Sequence, residues 1–274
     1  ILNIAVFRKE TLYQKMRALI IYLVISAVFI GCTPILSIDA STQSVYHFSD
    51  TDKNISLLDI SETFGTYDGS FVLYDNNLDS WKIYDLEEAT KRIPPESTYK
   101  IYDALLGLES GIITPEHSSM TWNGDAFPFP SWEADQDLNS AMQNSVNWYF
   151  QAIDSQLGIN RVQEFLNKIE YGNQTTSSNL DLYWSDFSLK ISPLEQVTLL
   201  KKFNTNEFHL NSQNVFSVKN AIKIASTPNG NFYGKTGTGR VNGQDINGWF
   251  IGYVETSDNS YYFATNIQSD SNAT

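Results

Sequence analysis

Ser97 and Lys100 are the first residues whose types and spacing suggest chemistry. They stand in "PPESTYKIYDALLGLESG", and Ser97 is the only serine in the chain with a lysine three residues on. Pro94 and Pro95 block the continuation of an upstream helix, and apolar residues then recur at helical spacing, so a helix is predicted to begin near Ser97. Residues three apart lie on one side of a helix. The hydroxyl and the amine are therefore expected to meet at the helix start.

This pair predicts covalent catalysis by a serine nucleophile. A serine hydroxyl reacts poorly until a base removes its proton. Lys100 can be that base only if burial or conversion of its amine removes the positive charge. The backbone N–H of Ser97, in the first turn of the predicted helix, would point at a developing oxyanion.

Three further motifs follow in chain order. They are "NSVNW" (144–148), "YGN" (171–173) and "YGKTGTG" (233–239). Each alone has an ordinary interpretation: Ser145 as a helix residue, Lys235 as a surface lysine in a hairpin, and "YGN" as a helix C-cap. Trp184 and Trp249 are equally compatible with a place in the core. The order of the motifs, more than any one of them, supports a functional prediction.

The composition excludes several other classes of protein. The 274 residues, with 42% hydrophobic and 14% aromatic content, can bury the core of one domain of about 200 residues. A net charge of -13, with no basic cluster after residue 17, argues against a nucleic-acid partner. The single cysteine forms no internal disulfide, and no Cys/His zinc motif or HExxH helix is present. We therefore predict no metal site and no Ser/His/Asp triad.

The N-terminal segment combines basic residues with a long apolar run. The basic residues are Arg8, Lys9, Lys15 and Arg17. They precede "ALIIYLVISAVFIG", so the positive-inside rule predicts residues 1–17 in the cytoplasm and the rest outside. Residues 18–36, about 19 in number, can span a bilayer. Two alternatives are a signal peptide beginning at Met16 with lipidation at Cys32 in "FIGC", and a core helix, which the basic flank disfavours.

A polar linker and an α+β domain are predicted after this run. Residues 37–58 are rich in Ser, Asp and Thr and lack periodicity. "GSFVLYD" and "SWKIYDL" then predict a hairpin, helical patterns follow, and strand patterns return in "GNFYGKTG", "NGWFIGYVET" and "YYFATNI". Strands at both ends enclosing helices predict an α+β domain over residues 59–274, whose sheet joins the two chain ends.

The ordered motifs resemble the serine β-lactamase and penicillin-binding protein superfamily. Their flanks, such as "WNGDAFPF", "YWSDFSLKISPLEQV" and "KTGTGRVNGQDINGWFIGYV", are similar to the class D branch and, within it, to the extracellular sensor domains of BlaR/MecR-type β-lactam receptors. The resemblance covers roughly residues 59–267. It implies an antiparallel sheet flanked by helices, a helical subdomain, and a C-terminal helix that we expect to be missing here.

The resemblance also implies a role for each motif residue. Ser97 would attack the β-lactam carbonyl, and Lys100, carboxylated on its amine by CO2, would take the serine proton. Ser145 would relay a proton to the leaving nitrogen, beside the positive potential of Lys235. The amides of Ser97 and Thr238 would form the oxyanion hole. No other cofactor is implied.

Three more residues complete the predicted site. Thr236 would be the hydroxyl partner of Lys235 for the drug's carboxylate, and Trp184 would donate its indole N–H to the Lys100 carbamate. Asn147 departs from the class D enzymes, which typically have valine there, and matches the sensors. Its amide would bind the Lys100 amine and favour the free amine over the carbamate after acylation. The acyl-enzyme would then persist.

Two functions remain open, and a third is less favoured. A receptor would bind β-lactam antibiotics outside the cell membrane, with a zinc-protease domain upstream in the full-length chain, and would signal to induce resistance. A class D β-lactamase, lipid-anchored through Cys32, would hydrolyse the drug. A cell-wall transpeptidase is disfavoured because the chain lacks an added domain for glycan strands.

Overall fold

The computed structural model describes residues 54–177, 179–181, 183–270 and 272–273. The predicted cytoplasmic segment, the apolar run with Cys32 and most of the predicted linker lie outside these residues. Among the helices of the described ranges, none is both long enough and apolar enough for a membrane span.

A seven-stranded sheet forms the centre of the described part of the chain, in the order β1-β3-β2-β7-β6-β5-β4. Its strands are β1 (Ile55–Leu57), β2 (Asp68–Asp75), β3 (Ser80–Tyr84), β4 (Lys223–Thr227), β5 (Gly230–Val241), β6 (Gln244–Glu255) and β7 (Ser260–Gln268). β2 pairs antiparallel with β7, with Asp68 opposite Gln268. The two ends of the domain therefore meet in the middle of the sheet, which confirms that part of the prediction.

The prediction of an antiparallel sheet is wrong for one strand pair. β1 runs parallel to β3, with Ile55 opposite Trp81, while the other pairs are antiparallel. The sheet is therefore mixed. β1 also lies inside the segment predicted to be linker, because a strand of three residues in a polar stretch shows too little alternation to be recognised.

Helices cover the sheet and form a layer of their own. In the described residues they are α1 (Ser61–Phe64), α2 (Leu86–Thr90), α3 (Lys100–Glu109), α4 (Leu138–Gln143), α5 (Asn147–Leu157), α6 (Ile159–Ile169), α7 (Pro193–Asn204) and α8 (Ser212–Ala221). α7 packs on β2, β6 and β7, while α3 packs on α5 and α8. The helix α3 is therefore central to the molecule, and the residues just before it are held on several sides.

The main core lies between the helices and one face of the sheet. Most of its largest fully buried side chains are aromatic, including Tyr99, Tyr102, Phe150, Phe203 and Tyr253. A smaller cluster of Phe64, Phe71, Leu73, Phe250 and Phe263 lies apart from it. Tyrosines in the main core place phenol groups in an apolar environment directly behind the predicted site.

Candidate active site

The predicted nucleophile lies on a tight turn that leads into α3. Glu96–Tyr99 form a 3-10 turn, and the α-helix proper begins at Lys100. The turn is anchored from two sides, since the Trp249 indole donates to the Pro94 carbonyl at 2.8 Å and the Glu96 N–H donates to the Trp184 carbonyl at 3.0 Å. The α-helix predicted from Ser97 thus starts three residues later, after one turn of narrower helix.

Lys100 contacts two of the predicted residues with one amine. Its Nζ lies 2.7 Å from Ser97 Oγ and 2.7 Å from Asn147 Oδ1, and Asn147 is the first residue of α5. The same Nζ lies 4.5 Å from the centroid of the Trp184 ring and 5.7 Å from that of Phe150. The amine is therefore enclosed by one hydroxyl, one amide oxygen and two aromatic faces.

Burial of Lys100 prepares its amine to act as a base. The side chain is 1% exposed, and this burial lowers its pKa well below the ordinary value, with a further lowering from the positive charge of Lys235. The carboxyl groups of Asp103 and Glu96 act in the opposite direction. A lysine with a lowered pKa is available as the neutral amine, the form that can accept the proton of Ser97.

Ser145 lies in the short connection between α4 and α5, in a left-handed backbone conformation with φ of 55°. The end of α4 is a Schellman motif, with the Ser145 N–H donating to Met142 O at 3.3 Å and the Val146 N–H donating to Ala141 O at 2.9 Å. Glycine is usual at this position, because a Cβ there costs about 1–2 kcal/mol. A serine at this position, in spite of that cost, suggests a use for its hydroxyl.

That hydroxyl meets the second lysine of the site. Lys235 Nζ lies 2.6 Å from Ser145 Oγ and 3.0 Å from the Thr236 carbonyl oxygen. Lys235 is 5% exposed, so it is not the surface lysine of the ordinary interpretation, and burial lowers its pKa to about 7. Within the described ranges no salt bridge involves it.

The part of β5 after its pairing with β4 has an open edge beside the nucleophile turn. The Gly234 N–H donates to Ile222 O, so it points to the edge of β5 that faces away from β6. Because successive N–H groups of a strand point to opposite edges, those of Thr236 and Thr238 share the edge of Gly234. A Cβ at Gly237 would lie 3.1 Å from Pro95 O, which shows how closely the strand approaches the turn. An oxyanion hole needs an N–H in this position.

Trp184 is buried beside Lys100 but is oriented differently from the prediction. It presents a ring face to the amine, at 4.5 Å from the ring centroid to Lys100 Nζ. The role of the indole N–H as a donor to a Lys100 carbamate stays a prediction.

The "YGN" motif holds the loop that carries Trp184. Asn173 exchanges two hydrogen bonds with Lys190, from its N–H to Lys190 O at 2.9 Å and from the Lys190 N–H to its own Oδ1 at 2.9 Å. Tyr171 is buried and packs edge-on against an aromatic ring of the nucleophile turn. α6 is already capped by Glu170, so the motif follows the cap and does not form it.

Two buried acids behind the site were missed by the sequence analysis. Asp103 on α3 and Asp154 on α5 are fully buried, and no described residue donates a hydrogen bond to either carboxyl oxygen of Asp103. Asp154 accepts one from Tyr183 at 3.2 Å. Burial raises the pKa of Asp103 and raises that of Asp154 to about 8. The available signal was an aspartate on the apolar face of α3.

The family is established by comparison with known sequences. The family model described as "Penicillin binding protein transpeptidase domain" matches residues 65–274. The chain belongs to this transpeptidase family. The motifs that predicted a superfamily of serine acyl-enzymes are therefore embedded in a matching domain, and the superfamily resemblance is confirmed.

Within this penicillin-binding family the relatives point to one branch. Regulatory protein BlaR1 of Bacillus licheniformis is 44% identical over 264 residues, which is 96% of this chain but only 43% of that protein. The solved C-terminal domain of the Bacillus licheniformis BlaR penicillin-receptor is 46% identical, with a TM-score of 0.77 over 80% of this chain and 90% of its own.

A class D β-lactamase of Bacillus subtilis is also similar, at 35% identity and a TM-score of 0.73 over 77% of this chain and 89% of its own. The transpeptidase-family domain described here is thus a BlaR1/MecR1-type penicillin-receptor sensor domain, related to class D β-lactamases. The chain spans less than half the length of the BlaR1 relative.

Proposed function

We propose that this protein is a β-lactam sensor that is acylated at Ser97 and signals across the membrane to induce resistance. One observation supports this most strongly. The Lys100 amine lies 2.7 Å from the Ser97 hydroxyl and 2.7 Å from the Asn147 amide oxygen. The base therefore touches both the nucleophile and a side chain that competes for it.

Acylation follows from the two serine–lysine pairs. Lys100, as the neutral amine or after carboxylation by CO2, takes the proton of Ser97, whose Oγ bonds to the carbonyl carbon of the lactam. The oxyanion is stabilised by the N–H groups of Ser97 and Thr238. The lactam C–N bond then breaks, and Ser145, next to Lys235, relays to the leaving nitrogen the proton that Lys100 took from Ser97.

Persistence of the acyl-enzyme follows from Asn147. Carboxylation of Lys100 requires its neutral amine, which the buried setting supports. Once Ser97 is acylated, the Asn147 oxygen retains the amine and disfavours the carbamate. Water beside the ester then lacks the carbamate as its general base, and general-base assistance is typically worth about 10²–10⁴-fold in rate. A long-lived acyl-enzyme is a usable signal.

Covalent labelling tests the proposed acylation. The full chain incubated with a fluorescent penicillin should gain the mass of one drug molecule, carried on Ser97, and Ser97→Ala should abolish this label. Ser257→Ala is a matched control, because Ser257 lies exposed in the turn between β6 and β7. Labelling that survives Ser97→Ala would refute the assignment.

The class D β-lactamase function is the second candidate, favoured by the similar fold of the Bacillus subtilis enzyme. It differs from the receptor in turnover. Release of one drug over longer than a cell generation supports the receptor, whereas several turnovers per second would establish the hydrolase.

We propose for the whole protein that residues 1–17 are cytoplasmic, that residues 18–36 span the membrane, and that a zinc-protease domain precedes them. The greater length of the BlaR1 relative supports an additional domain. Protease added to intact cells should digest the sensor domain and spare the N-terminal segment. Metabolic labelling with a fatty acid that depends on Cys32 would contradict this topology and favour the lipid-anchored enzyme.

A further inference from the structure

Glu96, immediately before the nucleophile, has an unusual backbone and an unusual environment. Its φ is 52°, in the left-handed region that favours glycine, and its side chain belongs to a residue only 5% exposed. Ser145 shares the left-handed conformation and has a hydroxyl in the site. Strained residues cluster at functional sites, so the same question arises for Glu96.

The side chain of Glu96 fills the space between the nucleophile turn and β5. A Cβ at Gly237 would lie 3.1 Å from the Cβ of Glu96, and a Cβ at Gly239 would lie 2.5 Å from its Oε1. Both glycines lie on the face of β5 that carries Lys235, because alternate residues of a strand share a face. The two glycines leave room for the glutamate.

A buried amide side chain on β6 ties Glu96 to the rest of the sheet. Asn247 Nδ2 donates to Glu96 Oε1 at 3.3 Å and to Pro94 O at 3.1 Å. The oxygen of Asn247 accepts from Asn266 Nδ2 on β7 at 2.8 Å. Asn247 and Asn266 are both buried. Hydrogen bonds therefore connect Glu96, in the nucleophile turn, through Asn247 on β6 to Asn266 on β7.

We propose that Glu96 is a positioning residue for acylation, holding the turn that carries Ser97 against the strand that carries Thr238. The proposal rests on the proposed acylation of Ser97. The two N–H donors of the oxyanion hole belong to different elements, so their separation depends on what packs between those elements. Glu96 is the side chain that packs between the nucleophile turn and β5.

The ionisation state of Glu96 should matter for the same reason. Burial raises its pKa to about 8, opposed by the Asn247 hydrogen bond and the positive charge of Lys100. Other charged side chains on the elements around it are Asp103 on α3, Lys235 and Arg240 on β5, and Asp245 on β6. Below pH 8 Glu96 is a neutral acid. Above it, a carboxylate beside the oxyanion hole repels the oxyanion and favours the charged form of Lys100.

The test is the second-order rate of labelling by a fluorescent penicillin, measured between pH 6 and pH 9.5 on the full chain in detergent. Glu96→Gln should label as fast as wild type at pH 7, because its amide oxygen can still accept from Asn247. Above pH 8 its rate should fall less than that of wild type, because both proteins lose the Lys235 charge but only wild type gains the Glu96 carboxylate. Glu96→Ala should label about tenfold more slowly at pH 7. Glu62→Gln, an exposed acid on α1, should follow wild type throughout.

Equal labelling rates for wild type and Glu96→Ala, or an unchanged fall above pH 8 in Glu96→Gln, would overturn the proposal while leaving acylation at Ser97 intact. Thermal unfolding of Glu96→Ala shows whether that variant folds, and if it does not, the pH profiles of wild type and Glu96→Gln decide alone. A wild-type chain that gains no label would refute the proposed function itself, and this inference with it.

Discussion

Two serine–lysine pairs lie side by side in this site, and they differ in surroundings more than in chemistry. Lys100 lies 2.7 Å from Ser97 Oγ, and Lys235 lies 2.6 Å from Ser145 Oγ. Both lysines are buried, and burial lowers both pKa values. Lys100 has a further partner in the Asn147 amide oxygen, whereas the further partner of Lys235 is a backbone carbonyl.

The two serines also differ in their backbone positions, since one lies at a helix start and the other at a helix end. Ser97 lies at the start of α3, where N–H groups point outward and can bind an anion. Ser145 lies at the end of α4, and its N–H is used in the helix cap. Ser145 therefore offers only its hydroxyl, while Ser97 offers a hydroxyl and an amide. Identical side-chain pairs acquire different roles from the helix end that carries them.

The largest expected effect comes from removing the base of the first pair. Lys100→Ala should slow acylation about 10²–10⁴-fold, because Ser97 loses its proton acceptor. Lys235→Ala should slow it less, about 10²-fold, because positive potential is lost while the nucleophile stays activated. Stopped-flow labelling with a fluorescent penicillin measures both rates. If the two variants lose the same amount, the pairs do not have separate roles.

A change at Asn147 should alter the fate of the acyl group. Asn147→Val removes the oxygen that retains the Lys100 amine, so the carbamate should persist and deacylation should recover part of the 10²–10⁴-fold contribution of a general base. Intact mass spectrometry, with and without bicarbonate, measures the acyl-enzyme lifetime for wild type and variant. An equally long lifetime in the valine variant would refute the explanation through Asn147 and leave the sensor function standing.

The comparison also shows which parts of the site a sequence can predict. Ser97 and Lys100 are three residues apart, so local helical geometry brings them together. Ser145 and Lys235 are 90 residues apart, and only the resemblance to a known family joined them. Trp184 was expected beside Lys100 and lies there, but it presents a ring face to the amine, an orientation that no sequence pattern predicts.

The fold shows the same division between patterned and unpatterned segments. The hairpin of β2 and β3 and the long strands β5 to β7 contain runs of aromatic and aliphatic residues, and they occupy the predicted places. β1 has only three residues, and tertiary packing determines which strand it pairs with. The local sequence therefore does not predict its parallel pairing with β3. Burial of Glu96 was equally hidden, because an acid between Pro95 and Ser97 is ordinary in a surface turn.

The second pair can be tested through stability. The pKa of Lys235 is lowered to about 7 in the folded protein, so between pH 7 and about 10 the unfolded chain binds the additional proton. The Lys235 contribution therefore makes the free energy of unfolding rise with pH, by up to about 1.4 kcal/mol per pH unit. Lys235→Met should remove this rise in urea unfolding curves. Lys91→Met, which changes an exposed lysine, should leave the pH dependence unchanged.

The smallest expected effect concerns the left-handed backbone of Ser145. Ser145→Gly and Ser145→Ala both remove the hydroxyl from Lys235, so both should acylate more slowly. Only glycine relieves the strain of a φ of 55°, and it should make the glycine variant more stable than the alanine variant by about 1 kcal/mol. Urea unfolding of the two variants measures the difference directly, since each has lost the same hydrogen bond. Equal stabilities would mean that the end of α4 tolerates a Cβ without strain, and only the contact with Lys235 would then indicate a use for the Ser145 hydroxyl.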